Sequence, residues 1–186
     1  MSNTLCDLCA QIPHPSIRRL TERVLEECPE AFWQAPASTS GKYHPVECRK
    51  PGGLVQHTRA VFIIARALLS AYGWDETHNK YSIVLSAALL HDCYKVAEPG
   101  SHSCFEHPMY AAAAVSDMLP QFHNIPGPVG AELVHCIESH MGRWNTTKRG
   151  SSLVLPLPAT DSALILHHAD LIASRPQVHV DATPED

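Results

Sequence analysis

The sequence lacks a basic-then-apolar leader, and no apolar run approaches the ~20 residues that span a bilayer. No membrane contact is expected, and the expected location is the cytoplasm. An even cysteine count is also missing. Seven cysteines without regular spacing suit a reducing compartment better than a disulfide framework. There is no surplus of positive charge either. A net charge of −5 argues against a surface that coats nucleic acid broadly, while leaving room for a local basic groove. No internal repeat, no convincing strand pair, no phosphate-cradling glycine loop and no Ser-His-Asp arrangement is evident. What the chain does have is 186 residues, 45% of them hydrophobic, enough for one domain over 1–186 with a real core. It also has thirteen histidines, which invite a search for metal ligands.

The chain is organised around residues 89–95, Leu-Leu-His-Asp-Cys-Tyr-Lys. The preceding stretch is apolar on every side through Tyr81, Ile83, Val84, Leu85, Ala87, Ala88, Leu89 and Leu90, the pattern of a helix in the middle of a fold. His91 and Asp92 close that helix. Burying both is costly without a strong partner, and a divalent cation is one.

Periodicity and punctuation predict about six helices joined by long loops, an all-α bundle. Residues 1–15 read as a loose arm. Its Cys6-x-x-Cys9, with His14 and Cys28 beyond, has the ingredients of half a zinc site, but unpaired thiols are the simpler reading. A helix over 16–28 is capped by Ser16 and ended by Pro29. Residues 29–52 read as a long irregular loop containing Lys42-Tyr43-His44, a cation, a ring and an imidazole together. Further helices are expected over 53–72, 79–93, 107–119, 129–141 and 161–174, with a loop over 142–158 and a frayed tail over 176–186. His57 lies on the apolar stripe with Leu54, Val61, Ile64 and Leu68. His107-Pro108 starts a helix. His140 shares a face with Leu133 and Ile137, and Asp170 one with Ala163 and Leu166, whereas His135 points elsewhere. One buried histidine is ordinary. Five ionisable groups on apolar faces or helix ends (His57, His91, Asp92, His140 and Asp170) are hard to satisfy separately, and one shared metal site satisfies them together.

At this point the residues resemble a family. Gly52-Gly53-Leu54-Val55-Gln56-His57-Thr58, Leu90-His91-Asp92-Cys93-Tyr94-Lys95, Glu138-Ser139-His140-Met141-Gly142 and Leu166-His167-His168-Ala169-Asp170, in that order, resemble the HD superfamily of metal-dependent phosphohydrolases. The closest likeness is to the HD domain of bacterial 3′-to-5′ exoribonucleases. The resemblance implies an HD-domain helical bundle with one divalent ion (Mn, Fe, Co, Ni, Zn or Mg) on His57, His91, Asp92 and Asp170. It implies His107 and His140 as further ligands where a second ion binds, Asp92 then bridging. Met141 stands where relatives often carry another histidine, which leaves the number of ions at one or two. Lys95 matches the lysine that offsets phosphate charge, so Asp92 and Lys95 are the expected catalytic pair. His167 and His168 read as outer or surface residues, and Cys93 and Cys136 as core packing.

The expected activity is hydrolysis of a phosphoester of a nucleotide or oligonucleotide by water that the ion activates, phosphodiester cleavage being preferred. Lys42, His44, Arg143 and Lys148 sit on loops where they could meet phosphates, and Tyr43 and Trp144 where they could stack a base. The substrate expected is a nucleotide or a short single-stranded nucleic acid end. A nucleotidase or nucleoside triphosphohydrolase is an alternative, and so is a non-catalytic metal- or nucleotide-binding module. A homodimer is possible.

Overall fold

Nine consecutive buried residues, 82–90, make one helix the axis of the molecule. A computed structural model describes residues 5–38, 43–98, 100–147 and 152–181, and among them are eight α-helices, three 3₁₀ helices and no strand. The helices are α1 (Cys6–Cys9), α2 (Pro15–Glu26), α3 (Glu30–Gln34), α4 (Gly53–Ala71), α5 (Asn79–Leu90), α6 (His107–Met118), α7 (Gly127–Ser139) and α8 (Asp161–Ala173). The axis is α5, with no polar side to turn to water, and it is enclosed by α2, α4, α7 and α8. Each leucine it buries contributes ~1.5–3 kcal/mol, which is what lets its C-terminus carry polar groups inside the fold.

The two pairs α4–α8 and α6–α7 flank α5 and bring their own ends to the end of α5. In α4, Leu54, Val61, Ala65 and Leu69 are buried, and His57 is buried among them. Its first residue has to be glycine. A Cβ on Gly53 would sit 2.1 Å from the carbonyl oxygen of Cys48, in the 3₁₀ turn Val46–Arg49 that lies against the start of the helix. Contrary to the expectation from the sequence, α4 is long and apolar enough by length and composition to cross a membrane. More than half of it is buried by other helices, as in the core helix of a bundle.

The six long helices fall within a few residues of their predicted ranges, and the all-α bundle is what the structure shows. Four expectations are corrected. First, residues 5–15 are not a loose arm. Leu5, Leu8, Cys9 and Ile12 are core residues, and Asp7 accepts two hydrogen bonds from Arg59, at 2.9 and 2.8 Å. Second, α2 is capped by His14, whose Nδ1 accepts from the Ile17 amide, and Ser16 lies inside the helix. Third, residues 29–52 are not wholly irregular, since they contain α3 and the Val46–Arg49 turn. Fourth, the tail does not fray at 176. Val180 packs on the core and His179 pairs with Glu47 at 3.3 Å. Lys42 and Lys148 lie outside the described residues.

Candidate metal centre

Five of the seven ionisable side chains that meet at the end of α5 come from helix ends or helix faces, and the other two from the turn after α5. His57 projects from α4, His91 ends α5, Asp92 and Lys95 occupy the turn after it, His107 opens α6, His140 follows α7 and Asp170 lies on α8. All the sequence-predicted ligands therefore converge. His57, His91, Asp92, His107 and His140 are buried, and the Asp170 side chain is 21% exposed.

The histidine tautomers follow from the backbone. Nδ1 of His91 lies 2.9 Å from the carbonyl of Ala88, Nδ1 of His107 lies 2.6 Å from that of Cys104, and Nδ1 of His140 lies 2.7 Å from that of Ile137. A carbonyl oxygen only accepts, so each Nδ1 carries a proton and each Nε2 is the ring nitrogen turned inward. Two of these nitrogens face each other, Nε2 of His107 and of His140 being 3.2 Å apart. Without a cation or a proton between them, that contact is repulsive.

The carboxylates complete the set. Asp170 Oδ1 is 3.0 Å from His57 Nε2 and 3.9 Å from His91 Nε2. Asp92 Oδ2 lies 3.5 and 3.8 Å from the same two nitrogens, and its Oδ1 lies 2.9 Å from His107 Nε2 and 3.7 Å from His140 Nε2. His57 Nε2, His91 Nε2 and Asp92 Oδ1 are nevertheless buried without a hydrogen bond. Donor atoms held this close, and aimed past one another, are arranged around a common point. They form two groups of metal-ligand type that share His91: His57, His91 and Asp170, and His91, Asp92 and His140. Nitrogen and carboxylate oxygen in this ratio fit a divalent first-row ion.

Charge states agree with that fit. Burial pushes the His140 imidazole down to about 3, helped by His91 and His107, and burial lowers His57 against the pull of Asp170. Burial raises the Asp92 carboxyl, but Lys95, His91 and His107 together hold it well below the usual range. Burial likewise opposes the charge on Asp170, and His57 more than offsets it. His91 is the exception: burial lowers it, yet the Asp92 carboxylate raises it further. Two buried carboxylates demand positive charge, and a proton on His91 or a metal cation answers the same demand. Lys95 supplies part of it, its Nζ standing 2.6 Å from Asp92 Oδ2 with the side chain 16% exposed.

This chemistry matches one known family, whose model covers residues 54–175, about two thirds of the chain, under the description HD domain. The chain belongs to the HD-domain family. HD domains are generally metal-dependent hydrolases that bind divalent ions. Neither the curated proteins nor the solved structures include a significant match.

Around the HD cluster the remaining predicted residues sort clearly. His135 is engaged elsewhere, with Glu138 at 3.2 Å and the Ala159 amide, as its helix face implied. His168 is exposed. His167 donates from Nδ1 to the carbonyl of His140 at 2.8 Å, so it steadies the residue that follows α7. Cys93 and Cys136 are buried, and all seven cysteines are free. Cys6 and Cys9 belong to no ligand cluster among the described residues.

Above the HD cluster lies a cavity of about 490 Å³ lined by Tyr43, His44, Arg143, Trp144 and Asp170. It gathers the described substrate candidates from the 43–44 segment and from the 3₁₀ turn Gly142–Trp144. Tyr43 and Trp144 expose their rings, and the Arg143 guanidinium lies 4.5 Å over Trp144. His44 is buried edge-on to His57, with its Nδ1 unpartnered, and burial beside His57 pushes it down to about 3. Sequence reasoning missed Arg175, which also lines this cavity, because nothing marks a residue just past a helix end as a cleft residue.

Proposed function

We propose that the protein is a metal-dependent phosphohydrolase that cleaves a phosphoester of a nucleotide or an oligonucleotide end, with a phosphodiester preferred. In this reading His57, His91, Asp92 and Asp170 would hold one divalent ion, and His107 and His140 would add the donors for a second. The observation that carries it is the set of buried, unpaired donor atoms on His57, His91 and Asp92, facing one another beneath an open cavity. When bound, such an ion acidifies a water and polarises a phosphoryl oxygen.

The chain's own residues do the rest. Lys95 offsets charge that builds on the phosphoryl oxygens. His44, neutral and unpartnered at Nδ1, offers a hydrogen bond to the ester where it enters from the cavity. Tyr43 and Trp144 stack a base, and Arg143 meets a phosphate, with Lys42 in the same role. Water adds across the P–O bond, one fragment leaves with a hydroxyl group and the other keeps the phosphate. The local cations favour a nucleic acid end over a bulk polymer, given the net charge of −5. We place this activity in a reducing cytoplasm, which the free thiols support.

Product analysis by mass spectrometry tests the proposal. Wild type and Asp92→Ala are incubated with manganese and a panel of short single-stranded RNA, cyclic mono- and dinucleotides, and nucleoside mono- and triphosphates. A product made only by wild type is expected, and mononucleotides from RNA support the exonuclease-like form. Nucleoside plus triphosphate moves the assignment to a triphosphohydrolase. No turnover across several metals turns it to a binding module.

A further inference from the structure

We infer that Arg175 is a specificity-determining residue of this centre: it receives a second phosphate of the substrate, other than the one that is cut. This rests on the phosphohydrolase reading and adds to it a charge requirement on the substrate and the residue that imposes it.

The fold leaves the charge of Arg175 without a partner. Among the described arginines, five donate to a carbonyl, a carboxylate or a side-chain amide, and Arg143 lies over the Trp144 ring. Arg19 is exposed, so water solvates it. Arg175 is half-buried, and its side chain has no hydrogen bond, ion pair or ring contact. A guanidinium drawn partly out of water without a partner costs free energy that a bound anion returns. Its place in the chain is held as well. The Arg175 amide donates to the Ile172 carbonyl at 3.0 Å, the Arg175 carbonyl accepts from the Val178 amide at 3.0 Å, and Val180 beyond it packs on the core.

The site around Arg175 says what that anion is. Arg175 lines the cavity of about 490 Å³ together with Asp170, one of the metal-type ligands, and His44, which packs edge-on to His57, so this cavity opens on the centre. No ion pair joins Arg175 to Asp170, whose Oδ1 lies 3.0 Å from His57 Nε2. Arg175 follows the end of α8, more than one turn of ~5.4 Å beyond Asp170. The phosphoryl group being cut has its cation in Lys95, beside Asp92. Arg175 stands farther out along the wall, where the rest of the substrate leaves the centre. A planar guanidinium binds a phosphate through two parallel hydrogen bonds, which an ammonium does not. The rings of Tyr43 and Trp144 in the same cavity suit the base of the nucleoside that links the two phosphates. The substrate described is a nucleotide unit with a phosphate on each side of its sugar, as at the phosphorylated end of a short oligonucleotide.

The test compares linear dinucleotides, unphosphorylated, 5′-phosphorylated and 3′-phosphorylated, in manganese-loaded wild type, Arg175→Ala and Arg175→Lys. At least one terminal phosphate is expected to raise the wild-type kcat/KM about tenfold or more, mainly through KM. In Arg175→Ala the ratio between that dinucleotide and the unphosphorylated one is expected to fall toward one, and Arg175→Lys is expected to restore part of it. Equilibrium dialysis of the same dinucleotides against chelator-stripped protein, where nothing is cut, is expected to show the preference in wild type and its loss in Arg175→Ala. Hydrolysis with no preference for either terminal phosphate, or a loss in Arg175→Ala that is equal on all three dinucleotides, overturns this inference and leaves the phosphohydrolase. No hydrolysis by any of the proteins, with the Arg175-dependent preference kept in dialysis, overturns the phosphohydrolase reading and leaves Arg175 as the phosphate-binding residue of a binding module. No hydrolysis and no preference in dialysis overturn both.

Discussion

Lys95 carries two demands that pull in opposite directions. Its ammonium stands 2.6 Å from Asp92 Oδ2, the oxygen that also faces His57 and His91, so it helps keep that carboxylate charged in the core. The same charge lies beside the place where a divalent cation fits, and like charges a few ångströms apart repel. Lys95→Met is therefore expected to do two things of opposite sign. Metal affinity should rise roughly tenfold, since a competing cation is gone. The rate kcat should fall by about 10²–10³-fold, since a positive group aimed at developing phosphate charge is worth that much. Isothermal titration with manganese reads the first and steady-state kinetics the second. Loss of affinity together with loss of rate would mean that Lys95 holds the cluster's shape and has no part in the chemistry. At this scale the sequence was informative, because each ligand lies on a helix face that its apolar neighbours define. His57 falls in line with Leu54 and Val61, and His140 with Leu133 and Ile137. What it did not convey is the tautomer. The acceptors are the carbonyls of Ala88, Cys104 and Ile137, each three residues before its histidine, and a carbonyl leaves no mark in a sequence.

The elements that present those residues are held by a few close contacts near their ends. Gly53 is one: Gly53→Ala forces a methyl group against the Cys48 carbonyl, and the turn and the helix start must separate. A cost of ~1–3 kcal/mol is expected, as for other overpacked positions. Because that turn follows His44 and the helix carries His57, manganese affinity should weaken along with thermal stability. An unchanged melting temperature would show that the turn gives way freely. At the other face, α1 is tied to α4 by the Asp7–Arg59 pair. The Arg59 guanidinium holds the Asp7 carboxyl below its usual range, so the folded state binds this proton more weakly than the unfolded chain does. The contribution is then complete above the unfolded pKa of ~3.9 and is lost as pH falls through the lowered folded value. Asp7 is 39% exposed, so the pair is worth only about 1 kcal/mol after screening by water and salt. Urea midpoints of wild type and Asp7→Asn should differ by a constant amount near neutral pH and converge in acid. A gap that widens in acid would contradict the assignment. The helices α1 and α3 were missed in the sequence for a reason of length. Four- and five-residue helices complete barely one turn, so no apolar stripe can repeat. The six longer helices repeat theirs several times and were legible.

Across the whole molecule, the cluster is a defect that the rest of the fold tolerates. Four histidines, two aspartates and a lysine converge inside a bundle whose axis, α5, is apolar on every side, and four of their polar atoms are buried without a hydrogen bond. The cavity above it is built where the 43–44 segment, the Gly142–Trp144 turn and the end of α8 meet. No periodicity runs through segments so far apart in the chain, which is why the cleft was not legible although its floor was. A fold that concentrates unpaired donors in one place is stabilised by whatever ion satisfies them, because the unfolded chain does not hold those donors together. At a metal concentration near a thousand times Kd the gain is ~4 kcal/mol. For a chain of this size each kcal/mol moves the melting temperature by about 2–4 °C, so a shift of roughly 8–16 °C is expected. Differential scanning fluorimetry of the chelator-stripped protein, titrated with manganese, iron, cobalt, nickel and zinc in turn, reads that shift directly. His57→Ala and Asp92→Asn should each suppress it, while His135→Ala, outside the cluster, should leave it intact. The readout needs no substrate, so it separates the metal centre from any claim about what is cut. A flat response to every ion would mean that the cluster is satisfied by protons and Lys95 alone, whereas a shift lost in His57→Ala but kept in His140→Ala would assign the tight site to the His57, His91 and Asp170 group.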